Sequence, residues 1–417
     1  MTERWLIVAD DLTGATDSGA QFACRGLDTF VQWRDSRPAE ETVIACDLAT
    51  RQLAPAEAAA RHEAAVRRYL SPDRRLYKKI DSTLRGQPAA EIAALHATLR
   101  ELSRPALGIF APANPAMGRT TRDSCVLVNG KPLEDTETWR REHSYRDANL
   151  AAILRDAGLT VRTVTLDAVR GRGRDDSRAL RAQFEGATES IVVCDAENDA
   201  DLANIVAASF DVAGFFIGTA GLAKALAARA PAEERKFRVG VRPTSGVLTV
   251  VGSMASASHA AVRELASMPG VHRVCLSRKL LLATWQSGTR PPDAASRIAE
   301  VLESGTDVVV EIEPASDTQA APDSRLVEGL AIFLVPAMGH TSGLIVTGGE
   351  TATALFAEWW AGGLFLAGEA EPGLALGVIP LQDTQIPVII KPGAFGDAGC
   401  LVRSLERLRA INHGSPA

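Results

Sequence analysis

No stretch of the 417-residue sequence approaches the ~18 consecutive apolar residues that a membrane-crossing helix needs. Its opening, Met1–Asp11, lacks the pattern of a secretory signal, because the apolar run is short and meets two acids. A cytoplasmic protein with no membrane partner is therefore expected. An excess of positive charge is also missing. The formal net charge is -6, which gives no electrostatic footprint for DNA or RNA. One basic stretch, Arg170–Arg174, runs straight into Asp175-Asp176 and reads as a solvated loop. The six cysteines (Cys24, Cys46, Cys125, Cys194, Cys275 and Cys400) form no C-x-x-C pair and have no histidine at metal-ligand spacing. Buried free thiols in a reducing compartment are the expectation. Neither common phosphate fingerprint occurs: there is no G-x-x-x-x-G-K-[ST] and no strand-linked G-x-G-x-x-G with a distal acid. That argues against a P-loop fold and against a nicotinamide enzyme. No internal repeat is visible.

What is present is a regular alternation. Short runs rich in Val and Ile are Trp5–Ala9, Leu107–Ala111, Ile191–Cys194, Gly214–Ile217, Val247–Val251, Val308–Ile312, Leu344–Val346 and Val388–Ile390. They mostly lack polar alternation, as strands buried on both faces of a parallel sheet do. Between them, Pro55–Leu70, Pro88–Leu102, Ala220–Arg229, His259–Ser267 and Thr351–Ala361 have helix-forming composition. The fold class read from this is α/β, with two domains, each a mainly parallel sheet flanked by helices. Pro- and charge-rich Ala230–Ser245 reads as the linker and divides the chain into residues 1–235 and 236–417. Pro314–Arg325 reads as a surface loop, and the tail from Asn412 as frayed.

Several apolar runs are followed at once by a Gly-, Ser- or Thr-rich turn and then a helix. In open α/β sheets ligands collect at such carboxyl ends, where glycine admits close approach and the helix offers free N–H groups. One such loop is weak evidence; several together point to an anionic ligand. The N-terminal loop Ala9–Gly14 differs in carrying acid. Asp10 and Asp11 follow a strand directly, and Asp17 lies further along the helix. Acids there can cap the helix, bind Mg²⁺ or take a proton from a hydroxyl. Lys78–Gly86 packs two cations, an acid and two hydroxyls together, which suits a polyol acid: a carboxylate wants Arg or Lys, and vicinal hydroxyls want Asp, Ser or Thr. The turn Ala113–Thr121 adds Arg119.

These motifs carry a resemblance. ADDLTGATD (9–17), KKIDSTLRG (78–86), GRTT (118–121), GTAGLA (218–223), TGGETA (347–352) and KPGAFG (391–396) occur in the order found in the four-carbon acid sugar kinases. The chain resembles that family over nearly its whole length. The resemblance implies an N-terminal domain that binds the acid sugar, a C-terminal domain that binds ATP, and Mg²⁺-assisted phosphorylation of threonate, erythronate or a 3-oxo-tetronate at the terminal 4-hydroxyl. It implies that Asp10, Asp11, Lys79 and Asp81 are catalytic, and that Thr13, Gly14, Ser82, Arg85 and Arg119 bind the acid sugar. Along ATP it places Ser253, Ser258, Gly348, Gly349, Glu350, Thr351 and Gly393. The chain departs from the pattern in the serine-rich loop, where Ala255 and Ala261 replace a Ser and a Gln. It also departs at Pro392, Asn114 and Ser124. Which aspartate is base and which metal ligand stays open. The rival readings are an aldolase or dehydrogenase of the same acids, and a non-catalytic sugar-acid sensor. A symmetric homodimer is the default for a soluble enzyme.

Overall fold

The computed structural model describes residues 3–33, 40–142, 145–171, 176–232, 245–252, 256–289, 292–314, 323–359, 362–381, 384–393 and 395–414. Contacts divide the chain into two compact units, Met1–Thr29 with Ala39–Glu233, and Phe30–Pro38 with Glu234–Ala417. Residues 30–33 thus join the C-terminal unit, and no composition shift marks them.

The first unit begins with strand β1 (Arg4–Ala9), helix α1 (Leu12–Ala23), strand β2 (Thr29–Trp33), of which only Thr29 belongs to this unit, and strand β3 (Val43–Asp47). It continues with helix α2 (Pro55–Tyr69), strand β4 (Arg74–Lys79) and helix α3 (Pro88–Glu101). Its sheet runs β3, β1, β4, Phe215–Gly218, Gly108–Ala111, Ile191–Cys194, Val161–Val164, with every neighbour parallel. The core on one face joins Leu6, Val8, Ile44 and Leu76 of the strands to Val66 of α2 and Ile92 of α3. Pro55 and Pro88 each open a helix, where a missing N–H costs nothing.

The second unit has a parallel sheet in the order Val271–Leu276, Asp307–Ile312, Val247–Val251, Gly343–Thr347, Thr384–Lys391. It continues antiparallel through Leu374–Leu381 and Leu364–Glu371, and then β2, whose Phe30 and Val31 sit opposite Phe365 and Leu364. Both units are α/β with mainly parallel sheets, as the alternation predicts.

The apolar runs all fall on strands. Among the strands outside those runs is β4, Arg-Arg-Leu-Tyr-Lys-Lys, four cations in six residues. Arg74 is nevertheless buried, because it donates to the backbone carbonyls of Trp5 and Glu41. Three other readings need correcting. Ser324 and Arg325 belong to a helix capped by Asp323 and not to a loop, while 315–322 lie outside the described residues. The tail is tied down at Asn412, a buried residue whose amide donates to Ser342 Oγ at 2.9 Å. All six cysteines are free, but Cys24 and Cys275 are exposed. Arg170 closes a helix and pairs with Asp201, while 172–175 lie outside the described residues. Most of the linker, 233–244, lies outside them too. No described helix is long and apolar enough to cross a membrane.

Candidate active site

Strand register assembles the first site. Ala9 of β1 is level with Asp47 of β3 and Lys79 of β4, and Lys79 is level with Gly218. The segments leaving these strand ends therefore meet at one carboxyl edge. Thr50 N–H donates to the Asp10 carbonyl at 2.9 Å, and Ile80 N–H to the Gly218 carbonyl at 2.9 Å.

Three of the residues singled out from sequence converge on a fourth that was not. The guanidinium of Arg51 donates through Nε to Asp10 Oδ2 at 2.7 Å and through Nη1 to Asp11 Oδ2 at 2.6 Å. Its Nη2 lies 3.6 Å from Asp81 Oδ1. Asp81 is gripped again by Arg85, through Nε at 3.0 Å and Nη2 at 2.8 Å, and by the Thr83 hydroxyl at 2.5 Å. Burial works against the Asp81 charge, but Arg85 and Arg51 outweigh it and hold the carboxyl well below its usual range. Burial likewise opposes the Arg51 charge, and three aspartates override it.

Asp11 is the N-cap of α1. Its Oδ1 accepts from Gly14 N–H at 2.8 Å and its Oδ2 from the Thr13 hydroxyl at 3.0 Å. Both Asp11 oxygens are thus engaged. Asp10 is 2% exposed, and its Oδ1 is buried with no hydrogen-bond partner. Burial would raise the Asp10 carboxyl, but Arg51, Lys78 and Lys79 together hold it below its ordinary value. The two lysines are adjacent in β4, so they leave the sheet on opposite faces. Lys78 joins the side packed by α2 and α3, where its Nζ lies 2.7 Å from Glu91. Lys79 faces α1, where a Cβ on Gly14 would come within 2.9 Å of its Nζ. A side chain there would push the Lys79 ammonium or the Asp11 carboxylate aside.

Asp47 behaves in the opposite way. Burial pushes its carboxyl up to about 7; the bond from Ala49 N–H, at 2.8 Å, opposes this, and the charges of Asp11 and Asp10 reinforce it. Ser82 is half-buried beside Asp81. Arg119 lies within electrostatic reach of Asp81 and Arg85; burial lowers its pKa, and its Nε is buried without a partner. Its Nη1 donates to the Met117 carbonyl. Arg51 and Asp47 escape a reading by motif, yet the signal exists: Val43–Cys46 ends in Asp47 as Trp5–Ala9 ends in Asp10.

The second site is built the same way in the other unit. Val251, Thr347 and Lys391 are level at the ends of three adjacent strands. Gly348 has φ 92, a left-handed value suited to glycine, and its N–H donates to the Lys391 carbonyl at 2.9 Å. The free donors are therefore the first-turn amides of the helix Gly349–Glu358, at Gly349, Glu350 and Thr351. Thr351 is buried and Glu350 exposed. A Cβ on Gly252 would meet Thr351 Oγ1 at 2.1 Å, so the Gly252 turn and the Gly348 turn touch. Ser258 Oγ donates to the Gly393 carbonyl at 2.7 Å, and buried Lys391 donates to the same oxygen at 3.2 Å. Ser258, Gly348, Gly349, Thr351 and Gly393 thus form one connected set. Ser253 lies outside the described residues. Among the described residues no group of three or more His, Cys, Asp or Glu could hold a metal.

Residues 5–226 match the family model described as a sugar-binding N-terminal domain, and residues 248–401 the model described as a nucleotide-binding C-terminal domain. The chain is 41% identical to a D-threonate kinase of Cupriavidus necator, over 95% of this chain and 96% of the relative. It is 28% identical to a D-threonate kinase of Salmonella typhimurium, over 99% of this chain and all of the relative. A solved structure from Salmonella typhimurium LT2 superposes with a TM-score of 0.78 at 19% identity, covering 96% of this chain and 98% of that one, and shares the fold.

Proposed function

The chain belongs to the four-carbon acid sugar kinase family, and from that premise we propose that it transfers the γ-phosphoryl group of ATP to the terminal 4-hydroxyl of a four-carbon sugar acid, with D-threonate the first acid to test. The observation that carries the reading is the convergence of Arg51, Arg85, Lys79 and three aspartates at one carboxyl edge. A polyhydroxy acid needs cations for its carboxylate and acceptors for its hydroxyls, and this edge has both.

Phosphoryl transfer asks for positioning and charge neutralisation more than covalent chemistry. In this reading Lys79, Arg85 and Arg119 neutralise the acid, and Ser82 and Asp81 meet its hydroxyls. Thr13 and Gly14 lie beside Asp11 at the same edge. Asp10 is the residue assigned to the attacking hydroxyl. Its Oδ1 is uncommitted, whereas Asp11 is engaged as a cap and by Arg51. A carboxylate held below its usual range is a weak base in the ground state. It still accepts a hydrogen bond that orients the hydroxyl, and takes the proton as the new P–O bond forms.

In the second unit the amides of Gly349, Glu350 and Thr351 are assigned to the triphosphate, with Ser258 and Gly393 fixing the adjoining turn. Mg²⁺, when bound, would offset the negative charge of the triphosphate. Mg²⁺ is commonly held by substrate phosphates together with one or two carboxylates.

Incubating the purified chain with ATP, Mg²⁺ and a panel of four-carbon sugar acids, with ADP release measured, tests the proposal. One feature favours a second reading as a non-catalytic sugar-acid sensor: Ala255 and Ala261 stand where the resembling family has Ser and Gln. Binding of an acid without ADP release would support the sensor.

A further inference from the structure

Lys78 is fully buried among apolar side chains, with Glu91 against it. Glu91 Oε2 takes Lys78 Nζ at 2.7 Å, and the same Nζ lies 2.8 Å from His62 Nε2. His62 Nδ1 is 3.0 Å from the Ala58 carbonyl, which can only accept, so Nδ1 carries the proton and Nε2 offers its lone pair to Lys78. A buried ion pair is a poor source of net stability, because desolvation offsets the attraction. What this pair does hold is a hydroxyl. Glu91 Oε1 accepts from Thr50 Oγ1 at 2.7 Å, and Thr50 is wholly buried. Thr50 N–H in turn donates to the Asp10 carbonyl, and the next residue is Arg51. Ala49, just before it, has φ 49, a left-handed value rarely adopted outside glycine. The turn that presents Arg51 is therefore strained and needs an anchor.

We propose that Thr50, Glu91 and Lys78 are positioning residues: Glu91, kept charged and fixed by Lys78, anchors the Thr50 hydroxyl, and Thr50 sets the Arg51 guanidinium against Asp10 and Asp11. None of the three is assigned contact with substrate. The kinetic consequence rests on the acid-sugar kinase reading; the geometric consequence does not.

The test uses the full chain as wild type, Thr50→Val and Thr50→Ser. Valine keeps the shape and loses the hydroxyl, while serine keeps the hydroxyl. The first readout is the side-chain Nε–H signal of Arg51 in nitrogen-15 NMR, identified by its loss in Arg51→Lys. It should be protected from solvent exchange in wild type and Thr50→Ser and lose protection in Thr50→Val. The second is turnover of D-threonate with ATP and Mg²⁺. Thr50→Val should raise KM for D-threonate about tenfold or more, the effect of losing one hydrogen bond to a charged group, with KM for ATP within about twofold. Thr50→Ser should restore it. An Arg51 signal still protected in Thr50→Val would overturn the proposal, and so would a Thr50→Ser variant that behaves like valine. If wild type turns over none of the four-carbon sugar acids, the arginine signal still decides, and the kinase reading is what fails; if it turns over another of them, that acid replaces D-threonate in the kinetic readout.

Discussion

Arg51 is joined to Asp10 twice, by its side chain at 2.7 Å from Nε to Oδ2 and by its amide at 3.3 Å to the Asp10 carbonyl. The same guanidinium reaches Asp11 and Asp81, so one cation ties two acids that follow β1 to one that follows β4. Removing it leaves the buried Asp10 carboxylate without a hydrogen-bond partner, and breaking a buried ion pair from one side typically costs about 3–5 kcal/mol. Arg51→Ala is expected to lower the melting temperature and to abolish acid-dependent ADP release. Arg51→Lys keeps the charge but not the planar fork, and is expected to recover stability more than activity. Thermal unfolding and steady-state kinetics on both variants check this.

The two adjacent aspartates should respond differently. Asparagine is as good an N-cap as aspartate, so Asp11→Asn should leave α1 intact and reduce turnover through its lost contact with Arg51. Asp10→Asn removes the acceptor assigned to the reacting hydroxyl and should lower kcat by about 10²-fold or more. Comparing kcat for the two folded variants decides the order. A larger loss in Asp11→Asn would reverse the assignment.

Asp47 supplies a pH signature. Its carboxyl titrates near pH 7 in the folded protein, well above its value in an unfolded chain. An acid raised in this way contributes stability at pH below the unfolded value and loses it as pH rises towards 7. Asp47→Asn keeps an acceptor for Ala49 N–H and carries no charge. It is expected to be more stable than wild type at pH 8, on the order of 2 kcal/mol, with the gap closing towards pH 4. Urea unfolding at the two pH values measures it.

The nucleotide site has its own probe in Gly252. A methyl group there would overlap Thr351 Oγ1, so Gly252→Ala should displace the turn that carries Thr351. KM for ATP is expected to rise about tenfold or more, the equivalent of one charged-group hydrogen bond, while KM for the acid stays near wild type. Steady-state kinetics with each substrate varied in turn separates the two.

The fold was legible where strands are apolar. Ile191–Cys194 and Val247–Val251 match their runs residue for residue. β4 was hidden because its cations are neutralised by distant partners, Arg74 by backbone carbonyls and Lys78 by Glu91. Pairing across 13 residues, as between Lys78 and Glu91, leaves no periodic trace. The acid loop and Lys79–Arg85 were legible because they crowd polar residues directly after strand ends. Arg51 was not, because a lone arginine after a strand means nothing until register places Asp47 level with Ala9. The exposure of Cys24 and Cys275 was likewise invisible: both follow helix- or strand-forming residues, and only packing decides which face is covered.

The central claim, that the Asp10–Arg51 edge serves phosphorylation of a four-carbon sugar acid, is tested most directly by incubating the purified chain with ATP, Mg²⁺ and D-threonate, erythronate or 3-oxo-tetronate. ADP release is followed, and phosphorus NMR locates the phosphate. The account predicts acid-dependent ADP release with at least one of them, at a rate of about 1–100 per second, and phosphate on the terminal oxygen. No ADP release with any of these acids, from protein that an acid stabilises against heat, would contradict it.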